Sequence, residues 1–365
     1  MPLRCELHTA SIYDRGGTRF VGALGRPSRI QWERTKDSTS FATVDIAEPS
    51  KTCLPVLQKV EPNRHELVIF RGQERVWEGP ITLISREGDS FSIDARDVSH
   101  YVYRTIAHNG YDNGNVGPVV DRAVDMITAE LNRTKEQLDP PINVVPHLRT
   151  VRHDDVELER RTTRVTEPFQ LSVFDDLSEM SRTGGLDWTV VGRSIVLNDT
   201  RVPVGVTPLV TENDFIGPVI VASYGMDSAT RAVTTGDAGM YGIAGGVDDF
   251  YGEWEILDSM FDEDTLEAPT QNSLDNAARY NLYGKLPVPT VVRIPQNSRL
   301  NPNGVLSMKH LVPGVRVPLS ATLTLKELTQ LQKLNSVSVT ETADGEEINV
   351  SMVTAPAGIG EGSGS

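Results

Sequence analysis

The sequence predicts a mainly β protein with a small α+β insertion. Three observations carry this. Short runs of β-branched and aromatic residues, separated by turns bearing glycine or aspartate, fill the first hundred residues. Two amphipathic helical stripes then occur between Pro118 and Gly185. After Val202 strand-like runs return and continue to Val353. The division expected is a β-barrel or sandwich over 1–97, an α+β module over 98–200 and a second β-rich domain over 201–354. A flexible Gly/Ser tail is expected over 355–365.

The first domain is organised around 66–97, ELVIFRGQERVWEGPITLISREGDSFSIDARD. Runs 67–70 and 75–77 flank Gly72-Gln73, and runs 81–85 and 91–95 flank Glu87-Gly88-Asp89. Gaps of this length containing glycine are hairpin signals, so a β-meander of three or four strands is expected. Phe91, Ile93 and Ala95 alternate with Ser92, Asp94 and Arg96, which predicts one buried face. Ahead of the meander, strands are expected over 5–13, 20–24, 28–34 and 41–47, and 49–61 is irregular, broken by Pro55 and bounded by Pro62.

In the module, 100–108 is helical or mixed. Pro118 opens a helix whose Val120, Val124, Ile127 and Leu131 recur at helical spacing, ending near Asn132. A short strand is expected over 142–145, and the charged run 149–164 reads as an exposed loop or edge. Ser172 and Asp175 form a capping box for a second helix with the stripe Val173, Leu177 and Met180, stopped by Gly184-Gly185. Runs 186–191 and 194–197 then form a hairpin across Gly192-Arg193, with Trp188, Val190, Ile195 and Leu197 covering the helix.

In the last part a strand over 215–224 is broken at Gly217-Pro218. The glycine-rich 234–246 follows, then 248–267, which holds nine acidic residues and no basic ones, interleaved with Phe250, Tyr251, Trp254 and Phe261. A helix over 273–283 has Ser273 as N-cap and Leu274, Ala277 and Ala278 on one face. Strands are expected over 288–294, 315–323, 336–341 and 348–353. Leu325, Leu328, Leu331 and Leu334 recur every three residues, which allows a helical turn; the β-branched flanks favour an extended segment.

The chain has 365 residues and a formal charge of −15, which disfavours a general nucleic-acid binder, whose footprint is basic. An acidic surface would repel DNA and let it slide past. Solubility accounts for the same charge. No run of eighteen apolar residues occurs, so no membrane span is expected, and the N-terminus lacks a signal-peptide core, so the product is expected to begin in a cytoplasm. Cys5 and Cys53 read as two free thiols rather than a disulfide framework.

Candidate chemistry is sparse. His147 and His153 with Asp154 and Asp155 have no metal-site spacing. Gly239, Gly242 and Gly245 resemble part of a phosphate loop but lack its Lys-Ser/Thr, and a mobile glycine-rich loop is the better reading. Asp248, Asp249, Glu253 and Glu255 could supply the paired carboxylates of a glycosidase by composition alone. A solvated or lumen-facing loop is the better reading. No catalytic, cofactor-binding or metal-binding residue is assigned, and no cofactor is expected.

The string ELVIFRGQERVWEGPITLISREGDSFSIDARDVSHYVYRT resembles the N-terminal half of minor tail proteins of long-tailed, siphovirus-type actinobacterial phages. FQLSVFDDLSEMSRTGGLDWTVVGRSIVL resembles their middle module. HLVPGVRVPLSATL and KLNSVSVTETADGEEINVSMV resemble their close, so the likeness runs from about 30 to 354. The resemblance implies a baseplate or tail hub with two tail-tube-like β-domains per subunit. It implies a homotrimer forming a pseudo-sixfold ring that joins the tail tube to the distal tip and lets DNA pass without sequence-specific binding. Implied partners are distal tail and tail tube proteins, the tape-measure protein and other minor tail or fibre proteins. Implied location is the virion tail tip, after assembly in the host cytoplasm. Strand edges, including the outer edge of the meander, are expected to serve assembly. Many such hubs extend into a peptidase, lysozyme or fibre domain; here Gly-Ser residues follow, and no enzymatic role is expected. Two alternatives stand beside the hub. One is a cell-wall-degrading or peptidase tail enzyme. The other is a receptor or carbohydrate-binding module using Tyr251 and Trp254.

Overall fold

Strand pairing joins the two ends of the chain. The computed structural model describes residues 8–355 except 48, 52, 112–116, 136–146, 152–160, 163–164, 183–184, 201, 224, 237–238, 260–270, 283–284, 286–289, 296–297 and 324–325. Within them, thirteen strands form one sheet drawn from both the first hundred residues and the residues from 210 onward. The protein is mainly β, with few helices.

His8–Asp14 pairs with Phe20–Leu24 on one side and His65–Arg71 on the other. Arg29–Thr35 pairs with Phe41–Ile46, which pairs with Ser90–Arg96. The meander is three strands, because the two middle runs fuse into one strand of 14 residues, Glu74–Glu87. Its first half pairs with His65–Arg71 and its second half with Ser90–Arg96. Gly79 lies where the strand changes partners: a Cβ there would stand 1.8 Å from the carbonyl oxygen of Arg96. The expectation of a free outer meander edge is corrected, since both outer strands are paired. The edge passes to Phe20–Leu24. The short helix Leu54–Leu57, within the run read as irregular, packs on that edge: a Cβ on Gly22 would come 2.4 Å from Val56 Cγ2.

At the other end Lys326–Thr342 is a strand of 17 residues. It pairs first with Arg316–Leu323, then with Gly345–Thr354. The leucine-spaced segment is therefore extended from 326 onward. The same strand supplies the seam of the molecule: residues 336–342 pair antiparallel with Arg29–Thr35, setting Val339 opposite Trp32 and Val337 opposite Arg34. One hydrophobic cluster runs through the seam, from Ile12, Trp32, Val44 and Leu67 to Leu319, Val337 and Ile348.

In the module, helices Val119–Lys135 and Val173–Arg182 lie on a three-stranded sheet. Its strands are Leu186–Val191, Ser194–Asp199 and, parallel to the latter, His147–Val151. The first helix runs three residues past the expected end. Met126, Ile127, Leu177, Met180, Trp188 and Leu197 make the separate core of this layer. Ser172 caps the second helix as expected, its hydroxyl accepting the N–H of Asp175 at 3.1 Å. The strand expected over 142–145 lies outside the described residues, as do residues 152–160 of the charged run and the 356–365 tail.

A second small layer hangs between the paired strands Ile220–Ser223 and Thr290–Arg293. Arg231–Thr235 is its central strand, flanked by antiparallel Tyr241–Gly245 and parallel Glu255–Ser259. Helix Gln271–Leu282 backs it. Three expectations are corrected here. The glycine-rich segment is a hairpin, the described acidic block ends in the strand Glu255–Ser259, and Ser273 lies inside the helix rather than at its N-cap. Close packing explains the glycines: a Cβ on Gly242 would lie 2.3 Å from the carbonyl carbon of Leu274. One on Gly245, at φ +79°, would lie 2.2 Å from the oxygen of Thr230. Cys53 is a buried free thiol, and Cys5 lies outside the described residues. No described helix is long and apolar enough to cross a membrane.

Candidate functional site

The acidic residues considered for catalysis serve local structure. Asp248 Oδ1 accepts the backbone N–H groups of Phe250 at 2.9 Å and Tyr251 at 2.8 Å, and these hold its carboxyl below the usual range. That is the reverse of the raised pKa a glycosidase acid needs. Glu253 and Glu255 both pair with Arg231, at 2.5 and 3.0 Å. Asp249 is exposed beside them. The turn displays Phe250, 86% exposed, and Trp254, whose ring N–H donates to Tyr251 O at 2.8 Å. Tyr251 is half-buried against Phe250. Gly239 faces open space, while Gly242 and Gly245 are spent on helix packing. His147 opens a strand, and His153, Asp154 and Asp155 lie outside the described residues. Among the described residues no group of three His, Cys, Asp or Glu side chains is placed to hold a metal ion.

What the sequence left unread is a set of buried polar joints. The hairpin tip residue Arg193 leaves the module and enters the meander, where Nη1 lies 2.7 Å from Glu66 Oε2 and 3.9 Å from Glu78 Oε2. Glu66 also accepts the Tyr101 hydroxyl at 2.5 Å and the Gly16 N–H at 3.0 Å, and Arg75 meets Glu78 at 2.9 Å. Burial pushes the Glu78 carboxyl up, against the pull of Arg75 and Arg193. Burial and the neighbouring Glu66 hold the Tyr101 phenol protonated.

A second joint uses the turn after Arg29–Thr35. Asp37 exchanges backbone and side-chain hydrogen bonds with Trp188, each 2.8 Å. Lys36 meets Asp187 at 2.8 Å, and Lys333 reaches the same carboxylate from the C-terminal strand. Burial pushes the Lys333 ammonium down, although Asp187 opposes the shift. One aspartate of the module thus holds a lysine from each β half.

The third joint lies along the seam. Arg34 donates to Val76 O at 2.6 Å and Leu311 O at 3.0 Å, and burial lowers its guanidinium to about 10. His8 Nδ1 lies 2.5 Å from Glu341 Oε2, the indole N–H of Trp32 donates to His8 Nε2 at 3.2 Å, and Arg71 grips Glu346 through two bonds of 2.9 Å. A signal for this joint was legible: Arg34 shares the inward phase of Ile30 and Trp32. A charge in an apolar phase is buried only when partners await it. The partners, 42 and 277 residues away, were not legible.

No protein-family model matches the sequence, and no curated protein matches it. Solved structures do match. The 43 kDa tail protein of prophage MuSo2 from Shewanella oneidensis is 12% identical, with 95% of this chain and 98% of that chain covered, at a TM-score of 0.56. A prophage tail protein from Listeria monocytogenes EGD-e is 11% identical, with 94% of each chain covered, also at 0.56. This chain has the fold of phage tail proteins. A third match is an E. coli component of the type VI secretion system, described as structurally similar to T4 bacteriophage tail proteins gp27 and gp5. It is 8% identical at a TM-score of 0.51, with 94% of this chain and 76% of that chain covered. At such identities the likeness is one of fold. It spans both β halves and the module of this tail-protein fold.

Proposed function

We propose that this chain is a structural tail-hub protein, a minor tail protein of a long-tailed actinobacterial phage. Three copies form a pseudo-sixfold ring that joins the tail tube to the distal tip. The observation that carries the reading is the seam between Arg29–Thr35 and 336–342. It joins two β halves edge to edge in one sheet, so each subunit can offer two wall segments and three subunits six. The tail-protein fold supports the same reading.

The solvent face of the central strands suits passage of DNA without binding. Thr43, Ser92, Ser336, Ser338 and Thr340 occupy its outward phase beside three carboxylates, Glu33, Asp45 and Asp94, and two cations, Arg29 and Arg96. Thr43 donates to Asp94 and Ser92 to Asp45, both at 2.7 Å, so hydroxyls hold the carboxylates in place. The carboxylates outnumber the arginines by one, and a polar wall of net negative charge offers a polyanion no site to hold it. Partners on this reading are distal tail, tail tube, tape-measure and other minor tail or fibre proteins, at the virion tail tip after assembly in the host cytoplasm. The role is structural and not enzymatic.

Electron microscopy of the purified protein tests the reading. Threefold particles with a central opening are expected; a monomer that persists at high concentration sinks the hub. The exposed Phe250 and Trp254 favour one second reading, a glycan-binding tail module. Binding on a glycan array that Trp254→Ala abolishes would establish it.

A further inference from the structure

An asparagine followed by glycine carries a latent reaction. The glycine nitrogen attacks the asparagine side-chain carbonyl, closes a cyclic imide and expels ammonia. Water then opens the ring at either carbonyl and leaves aspartate or isoaspartate. Glycine suits the attack because no side chain crowds its nitrogen. An N–H already engaged in a hydrogen bond must give that bond up first. Three such pairs occur in the chain: Asn109-Gly110, Asn113-Gly114 and Asn303-Gly304. The middle pair lies outside the described residues.

The two described pairs share a sequence and differ in structure. Both asparagines are exposed. In the later pair the Gly304 N–H donates to Asn301 O at 2.9 Å, and the Asn303 N–H donates to Asn301 Oδ1 at 3.0 Å. Asp214 closes on the same turn: a Cβ on Gly304 would lie 3.0 Å from its Oδ1. The attacking nitrogen is therefore withheld. In the earlier pair Gly110 is exposed too, and its N–H makes no hydrogen bond among the described residues. A Cβ there would meet nothing nearer than Pro168 Cδ, at 3.5 Å. This nitrogen is open to react.

We propose that Asn109 is a site of spontaneous hydrolytic deamidation, and that the turn around Asn303 protects that residue from the same reaction. Water is the co-reactant. The side-chain nitrogen leaves as ammonia, the amide becomes a carboxyl, and nothing is oxidised or reduced. The site does not depend on the tail-hub reading.

Its consequence follows from where the product forms. The Asn109 N–H donates to Glu130 Oε1 at 3.0 Å, and Tyr111 exchanges backbone hydrogen bonds of 2.8 and 3.1 Å with Thr166. The reactive link thus runs between two anchors. Either product adds a negative charge beside the Glu130 carboxylate. Isoaspartate also routes the main chain through the side-chain Cβ, which lengthens the link. One anchor must then yield, and segment 106–111 loosens from the helix that carries Glu130.

The test ages the full chain in mildly alkaline buffer, folded and in urea, and locates the products by peptide fragment spectra. In urea Asn109 and Asn303 are expected to react alike. In the folded chain Asn303 should react about tenfold more slowly than Asn109, because its glycine N–H must first be released. Gly110→Ala places its methyl at ordinary contact distance, so its thermal melt should match the wild type while most of the product at Asn109 is lost. Hydrogen exchange over 106–111 should be faster in the aged chain than in the fresh one. Asn109 that stays intact when folded and reacts in urea overturns the site. Equal conversion of the two asparagines in the folded chain overturns the protection by the turn. Undiminished product in Gly110→Ala overturns the cyclic route, and unchanged exchange in the aged chain overturns the loosening.

Discussion

Gly79 shows how one hydrogen atom sets the path of a strand. Glu74–Glu87 changes partners there, and the backbone of Arg96 passes where a methyl group would sit. Backbone cannot swing aside as a side chain can. Gly79→Ala is expected to destabilise by about 3 kcal/mol or more, the upper end of overpacking costs. Gly246 faces open space without a left-handed backbone, so Gly246→Ala should stay within about 0.5 kcal/mol of the wild type. Urea denaturation of both variants checks the contrast; equal effects would contradict it. Glu130 carries a pH signature. Burial pushes its carboxyl up, but the N–H groups of Asn109 and His108, with Arg133 and the Tyr111 hydroxyl, outweigh that and leave it below the ordinary glutamate value. A carboxylate with a depressed folded pKa adds stability above its unfolded pKa and loses it as pH falls through the folded value. Glu130→Gln should therefore cost about 1–3 kcal/mol at pH 7. The gap from the wild type should narrow as pH falls below the ordinary glutamate range. A gap independent of pH would show that packing, not charge, holds the 106–111 segment.

Elements meet here through charged tips as well as apolar faces. The hairpin of Leu186–Val191 and Ser194–Asp199 turns at Gly192, φ +58°, and sends Arg193 between Glu66 and Glu78. These two carboxylates are almost fully buried, so they depend on the cations that face them. Removing one partner of a buried ion pair leaves an uncompensated charge and costs about 3–5 kcal/mol. Arg193→Met is expected to loosen the module from the meander. Hydrogen exchange should rise in 98–199 and stay low in His65–Arg71. Glu78→Gln in the same chain should recover part of the loss, because the stranded charge is gone. Unchanged exchange in Arg193→Met would mean that the Asp187 joint suffices.

Across the whole molecule the seam makes the two β halves one cooperative body. Trp32 is fully buried on Arg29–Thr35, and the register sets it opposite Val339. Its truncation removes contacts with both halves. Trp32→Ala is expected to cost about 3–5 kcal/mol. Protection should fall together in Ser90–Arg96 and Gly345–Thr354, measured by hydrogen exchange in mild denaturant. Separate transitions for the two would show that each half folds alone. The same seam explains why strands of the two β halves lie close: His8 of His8–Asp14 meets Glu341 of Lys326–Thr342, and Arg71 of His65–Arg71 meets Glu346 of Gly345–Thr354.

Local chemistry was enough to read the mainly β class, the meander, the capped helix at Ser172 and the hairpin at Gly192-Arg193. Period-two alternation, a capping hydroxyl and a turn glycine act within a few residues, so they are written in short stretches. Glu66, Glu78, Asp187 and Arg34 are not legible as buried joints in the sequence, because a charge in a strand reads as solvent-facing until its partner is known. The partners of Arg193 and Asp187 lie 127, 151 and 146 residues away. The glycines of 239–245 misled for the same reason. A glycine that admits a helix and one that frees a loop look alike until the helix Gln271–Leu282 is in place. Composition and alternation thus settle which segments extend and which face turns inward, because those follow from each residue's own backbone and hydrophobicity. Which strands join across the seam, and where the buried charges go, is decided only when distant segments share one core. There each pairing must satisfy packing and hydrogen bonding at once.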